Sequence, residues 1–210
     1  MSDEPYVYVV DDDEDARKSV CALVLSMGAA CRAFASAEEF LTWVRAQPQP
    51  PAGCVVTDLR MPGMSGLELQ EAMLAAAIDL PLIVLTAYAR TPTTVRAIRA
   101  GAVTVLDKPY ADDDLWDAVR AALARNAADR AERVRQRQIV ERLAQLTADE
   151  RKVLDGILAG RPNKQIAQEL DVSLRTVENR RRDLFQKMQA ESAAELIRMV
   201  VESGYRQKAT

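Results

Sequence analysis

The sequence contains no histidine, the residue on which most hydrolase mechanisms and imidazole metal sites depend, so both are excluded. Its three cysteines, Cys21, Cys31 and Cys54, lie unpatterned in apolar segments, so we expect buried thiols rather than disulfides or metal ligands. No apolar run reaches the roughly 18 residues of a membrane span, and the N-terminal MSDEP lacks a signal-peptide pattern. We therefore expect a cytosolic protein with no membrane partner.

Length and charge indicate two domains with different tasks. Hydrophobic residues make up 49% of the 210 residues, which is enough for two modest cores joined by a linker. Residues 1–125 carry 11 basic and 18 acidic side chains, whereas residues 147–210 carry 12 and 10. An acidic front and a mildly basic back suggest that the second domain meets a polyanion.

Apolar runs in the first half alternate with helical patterns, which predicts a parallel sheet with helices on both faces. A helix is expected at 91–100, before Gly101. The predicted strands are 6–10, 31–34, 54–58, 81–87 and 102–106.

Polar side chains follow four of these strands, at the point where each one ends. Asp11 and Asp12 follow the first strand, Asp58 ends the third, Thr86 the fourth, and Lys108 follows the fifth. The carboxyl ends of parallel strands share one edge, where open sheets bind ligands. Clustered carboxylates suit Mg²⁺, and a lone aspartate beside them suits phosphoryl transfer. Helix capping and an ordinary turn explain single features but not all four together.

The first half resembles the receiver domain of two-component response regulators, a flavodoxin-like α/β fold. The motifs VDDD, TDLRMPGMSG, LTA and DKPY stand in the family's order. The resemblance implies that Asp58 is the phosphoacceptor and that Thr86 and Lys108 contact the phosphoryl group. It implies Mg²⁺ ligation by Asp11, Asp12, Asp58 and the main-chain carbonyl of Arg60.

One position departs from the receiver pattern. Val105 stands where the family commonly carries a Tyr or Phe that moves with the switch threonine. The signal then passes through Thr86 and loop movement alone, or Tyr88 substitutes for the ring. We expect Arg60 and Tyr88 to flank the pocket and shield the acyl phosphate from water.

The middle of the chain predicts a long helix. From Ala111 to Leu146 there is neither glycine nor proline. We assign residues 1–125 to the receiver domain, 126–146 to a helical linker, and 147–210 to the second domain. The polar seam of the linker leaves both a coiled coil and a solvated spacer open.

The second half predicts a helix-turn-helix unit. Thr147 opens the capping-box pattern TADE, and Asn163 is expected to cap the short helix KQIAQEL. The turn DVS then leads into the basic amphipathic segment LRTVENRRRDLFQKM. Arginine and asparagine on its outer face can bind phosphates and base edges.

Residues 147–205 closely resemble the LuxR-type DNA-binding domain, most specifically in NKQIAQELDVSLRTVE. Together with a receiver, this domain resembles the NarL/FixJ group of regulators. The resemblance implies base-edge contacts from Glu178, Asn179 and Arg182. It implies phosphate contacts from Lys164, Arg175, Thr176, Arg180 and Arg181. The last helix resembles the family's dimerisation helix, with Leu196, Ile197, Val200 and Val201 as its contacts.

We therefore predict a transcriptional response regulator rather than an enzyme. Its expected partners are a sensor histidine kinase, double-stranded promoter DNA and a second copy of the chain, with RNA polymerase as a further candidate. One alternative is a Mg²⁺-dependent phosphohydrolase, which would want its nucleophile on the first strand and a lid. Another is a regulator that never uses phosphate, which the intact acidic set argues against.

Overall fold

A computed structural model describes residues 5–87 and 101–205. Five parallel strands lie in the order β2-β1-β3-β4-β5. They are β1 Tyr6–Val10, β2 Ala30–Phe34, β3 Gly53–Asp58, β4 Leu82–Thr86 and β5 Thr104–Asp107. The predicted helix at 91–100 lies outside the described residues.

Helices cover both faces of this sheet. On one face, α2 and α3 contribute Phe40, Leu69 and Met73 to a buried core. On the other, α1 and the start of α4 contribute buried side chains such as Val20 and Leu115. The helices are α1 Glu14–Ser26, α2 Ala37–Arg45, α3 Gly66–Ala75 and α4 Asp112–Ala144. The predicted α/β fold is confirmed.

The strand register brings the carboxyl ends to one edge. Val10 pairs with Thr57, Asp58 pairs with Leu85, and the ladder ends where Thr86 pairs with Asp107. Buried β-branched residues fill these strands because both faces are covered. The side chains that follow each strand therefore meet at this edge.

The long helix α4 contributes to two compact units, Met1–Arg130 and Ala131–Thr210, called here the first and second units. Asn126 is buried in the first unit, where its side chain accepts from the Gly53 amide at 3.0 Å. Ile139 and Leu143, by contrast, are buried in the core of the second unit. The segment 126–146, predicted as a linker, thus supplies core residues to both units, and its domain limits stay a prediction.

All regular secondary structure among the described residues of the second unit is helical. A capping box at Thr147 begins the first of its shorter helices, as the sequence predicts. The next helix, however, begins at Asn163 itself, with Pro162 at its N-cap position and no side-chain cap, so the predicted cap is wrong. The helices are α5 Ala148–Leu158, α6 Asn163–Glu169, α7 Leu174–Met188 and α8 Ala193–Glu202.

The prediction of buried free thiols holds for Cys54 only. Cys21 on α1 and Cys31 on β2 form a disulfide, with Cα atoms 5.6 Å apart. Packing of α1 against β2 turns the two side chains toward each other, and no spacing in the sequence shows this. Among residues 5–87 and 101–205, no helix is both long and apolar enough to cross a bilayer.

Candidate phosphoacceptor site and DNA-binding face

The C-terminal edge of the sheet joins three charged side chains that are far apart in the sequence. The Lys108 ammonium lies 3.1 Å from Asp11 Oδ2 and 2.6 Å from Asp58 Oδ1. Asp11 is 3% exposed, whereas 27% of the Lys108 side chain is exposed. Burial lowers the pKa of Lys108, but the hydrogen bonds that it donates to Asp58 and Asp11, together with their negative charges, outweigh burial and raise the pKa. The lysine therefore stays charged between two carboxylates.

Backbone geometry fixes the remaining oxygen of Asp58. The Arg60 amide donates to Asp58 Oδ2 at 2.6 Å. Gly66 begins α3 directly beside this turn, and a Cβ there would stand only 2.5 Å from the Asp58 carbonyl oxygen. Glycine is thus required at position 66 for the close approach of helix and strand.

The acidic turn after β1 is held in the same way. The Asp13 amide donates to Asp11 Oδ1 at 2.9 Å, and Asp13 in turn caps the N-terminus of α1. Asp12 stays exposed between them. Amide and ammonium donors therefore hold the Asp11 carboxylate in a fixed orientation at this edge.

Thr86 is placed at the same edge and is 2% exposed. Its carbonyl accepts from the Lys108 main-chain amide at 2.7 Å, which couples β4 to the lysine turn. Val105 lies on β5, is half-buried and packs against the core. Arg60 is exposed beside Asp58, and Tyr88 lies outside the described residues.

The donor set at this edge fits a hard cation. Its charged atoms are oxygens, as Mg²⁺ prefers, and the Lys108 ammonium shows that Asp11 and Asp58 converge on a single positive charge. In the described part of the chain, no three acidic or sulfur side chains are grouped tightly enough to hold a metal on their own. A metal here would therefore need main-chain and water oxygens as well.

One contact to the loop after Asp58 was not predicted. Glu38, from α2, accepts from the Met64 amide at 3.0 Å across the sheet edge. The hydrogen bond from the backbone of Glu38 itself and, to a smaller degree, the bond from Met64 lower the pKa of Glu38. The pairing joins residues 26 apart, and no local pattern in the sequence indicates it.

The predicted DNA-binding residues of the second unit separate into two groups. The outer face of α7 and the neighbouring helix α6 present exposed side chains; 72% of the Arg182 side chain is exposed, although its Nε lies 3.5 Å from the carboxylate of the adjacent Asp183. These exposed residues are Lys164, Arg175, Glu178, Asn179 and Arg182.

The other predicted contacts are engaged within the unit. Arg180 forms an ion pair with Asp149 of α5. Arg181 donates to Asn163 Oδ1 at 3.0 Å, and its guanidinium lies 5.4 Å from the centre of the Phe185 ring. The Thr176 hydroxyl pairs with that of Ser173, the N-cap of α7, at 2.8 Å. The contacts of Arg180 with Asp149 and of Arg181 with Asn163 hold α7 against α5 and α6.

The predicted dimerisation face of α8 needs a correction. Leu196 and Val200 are buried in the core of their own unit, so they cannot also contact a second copy. Ile197 packs partly against the same core. Val201 is 68% exposed, so it offers a partner the most surface of the four. The amphipathic period was correct, but its apolar face points inward.

Two family models match the chain. Residues 7–120 match the response regulator receiver domain, and residues 144–200 match the bacterial regulatory proteins of the luxR family. The first match alone spans more than half of the chain.

Whole-length relatives and a solved structure agree with both matches. The transcriptional regulatory protein FixJ of Bradyrhizobium diazoefficiens is 39% identical over 97% of this chain and 98% of its own length. FixJ of Rhizobium meliloti is 40% identical over 95% and 96%. The structure of the response regulator StyR matches with a TM-score of 0.83 at 39% identity, over 95% of this chain and 99% of that one. The chain belongs to the NarL/FixJ group of two-component response regulators, with a receiver domain followed by a LuxR-type DNA-binding domain.

Proposed function

We propose that Asp58 accepts a phosphoryl group from a partner sensor histidine kinase. The observation that carries this proposal is the Lys108 ammonium, which contacts both Asp58 and Asp11 from a position 50 and 97 residues away. One Asp58 oxygen accepts from the Arg60 amide and the other from Lys108. These two hydrogen bonds orient the carboxylate for attack on phosphorus.

Mg²⁺ would be held by the oxygens of Asp11, Asp12 and Asp58 with the main-chain carbonyl of Arg60. When bound, it neutralises charge on the transferring phosphoryl group. Asp11 and Asp58 supply two carboxylates that already converge on one cation. Asp12 is exposed and free to turn toward the metal or its waters.

After transfer, the phosphoryl oxygens take over contacts that the free carboxylate holds. Lys108 pairs with the new negative charge, and the Thr86 hydroxyl donates a hydrogen bond to it. The Lys108 main-chain amide donates a hydrogen bond to the Thr86 carbonyl, so movement of either residue is transmitted to both β4 and β5. We expect Arg60 and Tyr88 to shield the acyl phosphate from water and to slow its hydrolysis. The protein is not a turnover enzyme; it loses the group slowly.

The output is promoter binding by α7. Glu178, Asn179 and Arg182 are exposed together on that helix and contact base edges in the major groove, while Lys164 and Arg175 contact phosphates. The activated protein forms a two-fold homodimer, which matches two half-sites on the DNA. RNA polymerase is then recruited or excluded.

The test uses acetyl phosphate and Mg²⁺ with the full-length chain. Intact mass should rise by one phosphoryl group in the wild type and not in Asp58→Asn. Asp107→Asn is the matched control, since Asp107 is an exposed acid at the end of the neighbouring strand β5. It should be phosphorylated like the wild type.

Binding is then measured by fluorescence anisotropy on a duplex selected from a random library by the phosphorylated wild type. Affinity and dimer content should rise with phosphorylation in the wild type and Asp107→Asn only. No mass gain with any phosphodonor would overturn the phosphoacceptor role. Continuous release of inorganic phosphate from small phosphomonoesters would instead indicate a phosphohydrolase.

A further inference from the structure

Arg17 reaches back from the first turns of α1 to the turn that carries the acidic residues. Its Nη1 donates to the Asp11 main-chain carbonyl at 2.6 Å, six residues earlier in the chain. The same residue continues the helix, since its amide donates to the Asp13 carbonyl at 3.0 Å. The guanidinium is therefore fixed between the helix and the end of β1.

Every polar group of Asp11 is engaged once Arg17 is included. The Asp11 amide donates to the Phe34 carbonyl at 3.3 Å, and the two carboxylate oxygens accept from the Asp13 amide and from Lys108. The carbonyl accepts from Arg17. Because Asp11 is only 3% exposed, loss of one partner leaves a polar group to which water cannot easily hydrogen-bond.

Arg17 has two opposing effects on a divalent cation at this edge. Its positive charge repels the cation, but solvent screens that effect at a partly exposed side chain. Its hydrogen bond holds the backbone that aims the Asp11 carboxylate, and that contact is direct. A charged donor on a carbonyl is stronger than a neutral one, so the positioning effect should prevail over the repulsion.

We propose that Arg17 is a positioning residue for the metal site: it holds the Asp11 main chain so that the carboxylate meets Mg²⁺. This inference rests on the proposed Mg²⁺ ligation by Asp11. It concerns binding of the metal to the unphosphorylated protein, so it can be tested without any phosphodonor.

Lys18 provides a matched charge control. It is the next residue on α1 and carries the same charge, but its ammonium pairs with Glu14 at 2.6 Å on the exposed surface. If Arg17 acted through charge alone, Lys18→Met and Arg17→Met would change Mg²⁺ affinity in the same direction and by a similar factor.

The experiment titrates the full-length, isotope-labelled protein with MgCl₂ and follows amide chemical shifts by NMR. Arg17→Met should weaken Mg²⁺ binding about threefold to tenfold, as expected for one lost charge-assisted hydrogen bond. Arg17→Lys, which keeps one donor, should recover part of the affinity. Lys18→Met should bind as well as the wild type or slightly better. Urea unfolding followed by tryptophan fluorescence checks that each variant is folded.

Three outcomes would overturn the proposal. Wild-type affinity or tighter binding in folded Arg17→Met would show that the contact does not position the ligand. Equal weakening in Arg17→Met and Lys18→Met would show that the loss does not come from the contact with Asp11. Absence of Mg²⁺-dependent shifts in the wild type would remove the metal site itself, whereas the mass gain on Asp58 tests phosphorylation separately. If Arg17→Met does not fold, the Mg²⁺ affinity of Arg17→Lys is compared with that of the wild type and of Lys18→Met. Weaker binding by Arg17→Lys than by both supports the proposal, and equal binding overturns it.

Discussion

The two compact units use charged side chains in opposite ways. In the first unit, Lys108 lies between Asp11 and Asp58, and residues from three strand ends converge on one point. In the second unit, Asn179 and Arg182 belong to one helix and are exposed along its outer face. The first site is assembled by long-range folding, whereas the second is a surface of a single local element.

This difference determines where ion pairs contribute. In the first unit, the pairs of Lys108 with Asp11 and Asp58 form the proposed site, so phosphorylation of Asp58 would rearrange them. In the second unit, the ion pairs of Arg180 with Asp149 and of Lys187 with Glu150 lie beside the site and hold α7 in place. A variant that breaks the pairs at Lys108 should change both stability and the chemistry of the site. A variant that breaks a pair beside the DNA-binding face should change stability alone.

The largest effect is expected for Lys108→Met. The change leaves Asp11 and Asp58 close together without their cation, and breaking a buried pair is costly. Since Lys108 is partly exposed, we expect a loss of about 2 kcal/mol in the free energy of unfolding of the first unit, below the full value for a buried pair. Both tryptophans, Trp43 and Trp116, belong to that unit, so urea unfolding followed by tryptophan fluorescence reports it selectively.

Mg²⁺ sharpens the same experiment. Millimolar MgCl₂ should stabilise Lys108→Met more than the wild type, because the cation replaces the missing charge between the carboxylates. Lys18→Met, which breaks an exposed pair, should change the free energy of unfolding by less than about 0.5 kcal/mol. Equal stability of Lys108→Met and the wild type, with and without MgCl₂, would show that the lysine does not hold the carboxylates together.

Neighbouring arginines of α7 test the second unit. Arg182→Ala should weaken binding to a selected duplex by about 1–2 kcal/mol, as for one lost base or phosphate contact, and leave unfolding unchanged. Arg180→Ala should instead reduce the free energy of unfolding by about 0.5 kcal/mol through loss of the pair with Asp149, with a smaller effect on binding. Anisotropy titrations and chemical unfolding of the same preparations separate the two quantities.

Asp149→Asn completes this comparison. It releases Arg180 without removing the arginine, so it should reproduce the stability loss of Arg180→Ala while leaving DNA affinity at the wild-type level. If Arg180→Ala weakened DNA binding as much as Arg182→Ala and unfolded normally, Arg180 would leave Asp149 in the complex. The division of α7 into two groups would then be wrong.

The sequence predicts the fold of the first unit better than it predicts the surfaces of the second unit. Strands buried on both faces give continuous apolar runs, so the ends of those runs identify Asp58 and Lys108. Along α7, three successive arginines look alike, and only the packing of α5 and α6 shows that Arg180 and Arg181 have partners. Likewise, an amphipathic period in α8 indicates an apolar face but not whether a core or a second chain covers it.

Contacts that join distant segments were also beyond prediction. The Glu38 bond to the Met64 amide and the pairing of Cys21 with Cys31 depend on how helices lie on the sheet. The residues of the phosphoacceptor site could be predicted from the sequence because each motif coincides with the end of a strand. The residues that hold them in place follow from packing, which local spacing does not encode.

The smallest effect concerns the pH dependence of Glu150, which is buried beneath α7. Burial raises the pKa of Glu150, but hydrogen bonds from Lys187 and the Thr147 amide, each 2.8 Å long, outweigh it and lower the pKa. Its folded pKa thus lies below the unfolded value of about 4.3. The stabilisation is present above that value and is lost as the pH falls through the folded pKa.

Glu150→Gln should therefore unfold about 0.5–1 kcal/mol more easily than the wild type near neutral pH, and the difference should disappear in acid. Chemical unfolding followed by circular dichroism over this pH range measures it, with the exposed Glu141→Gln as a flat control. A difference that stayed constant across the range would mean that shape rather than charge makes Glu150 stabilising, and its pair with Lys187 would lose its role in holding α7.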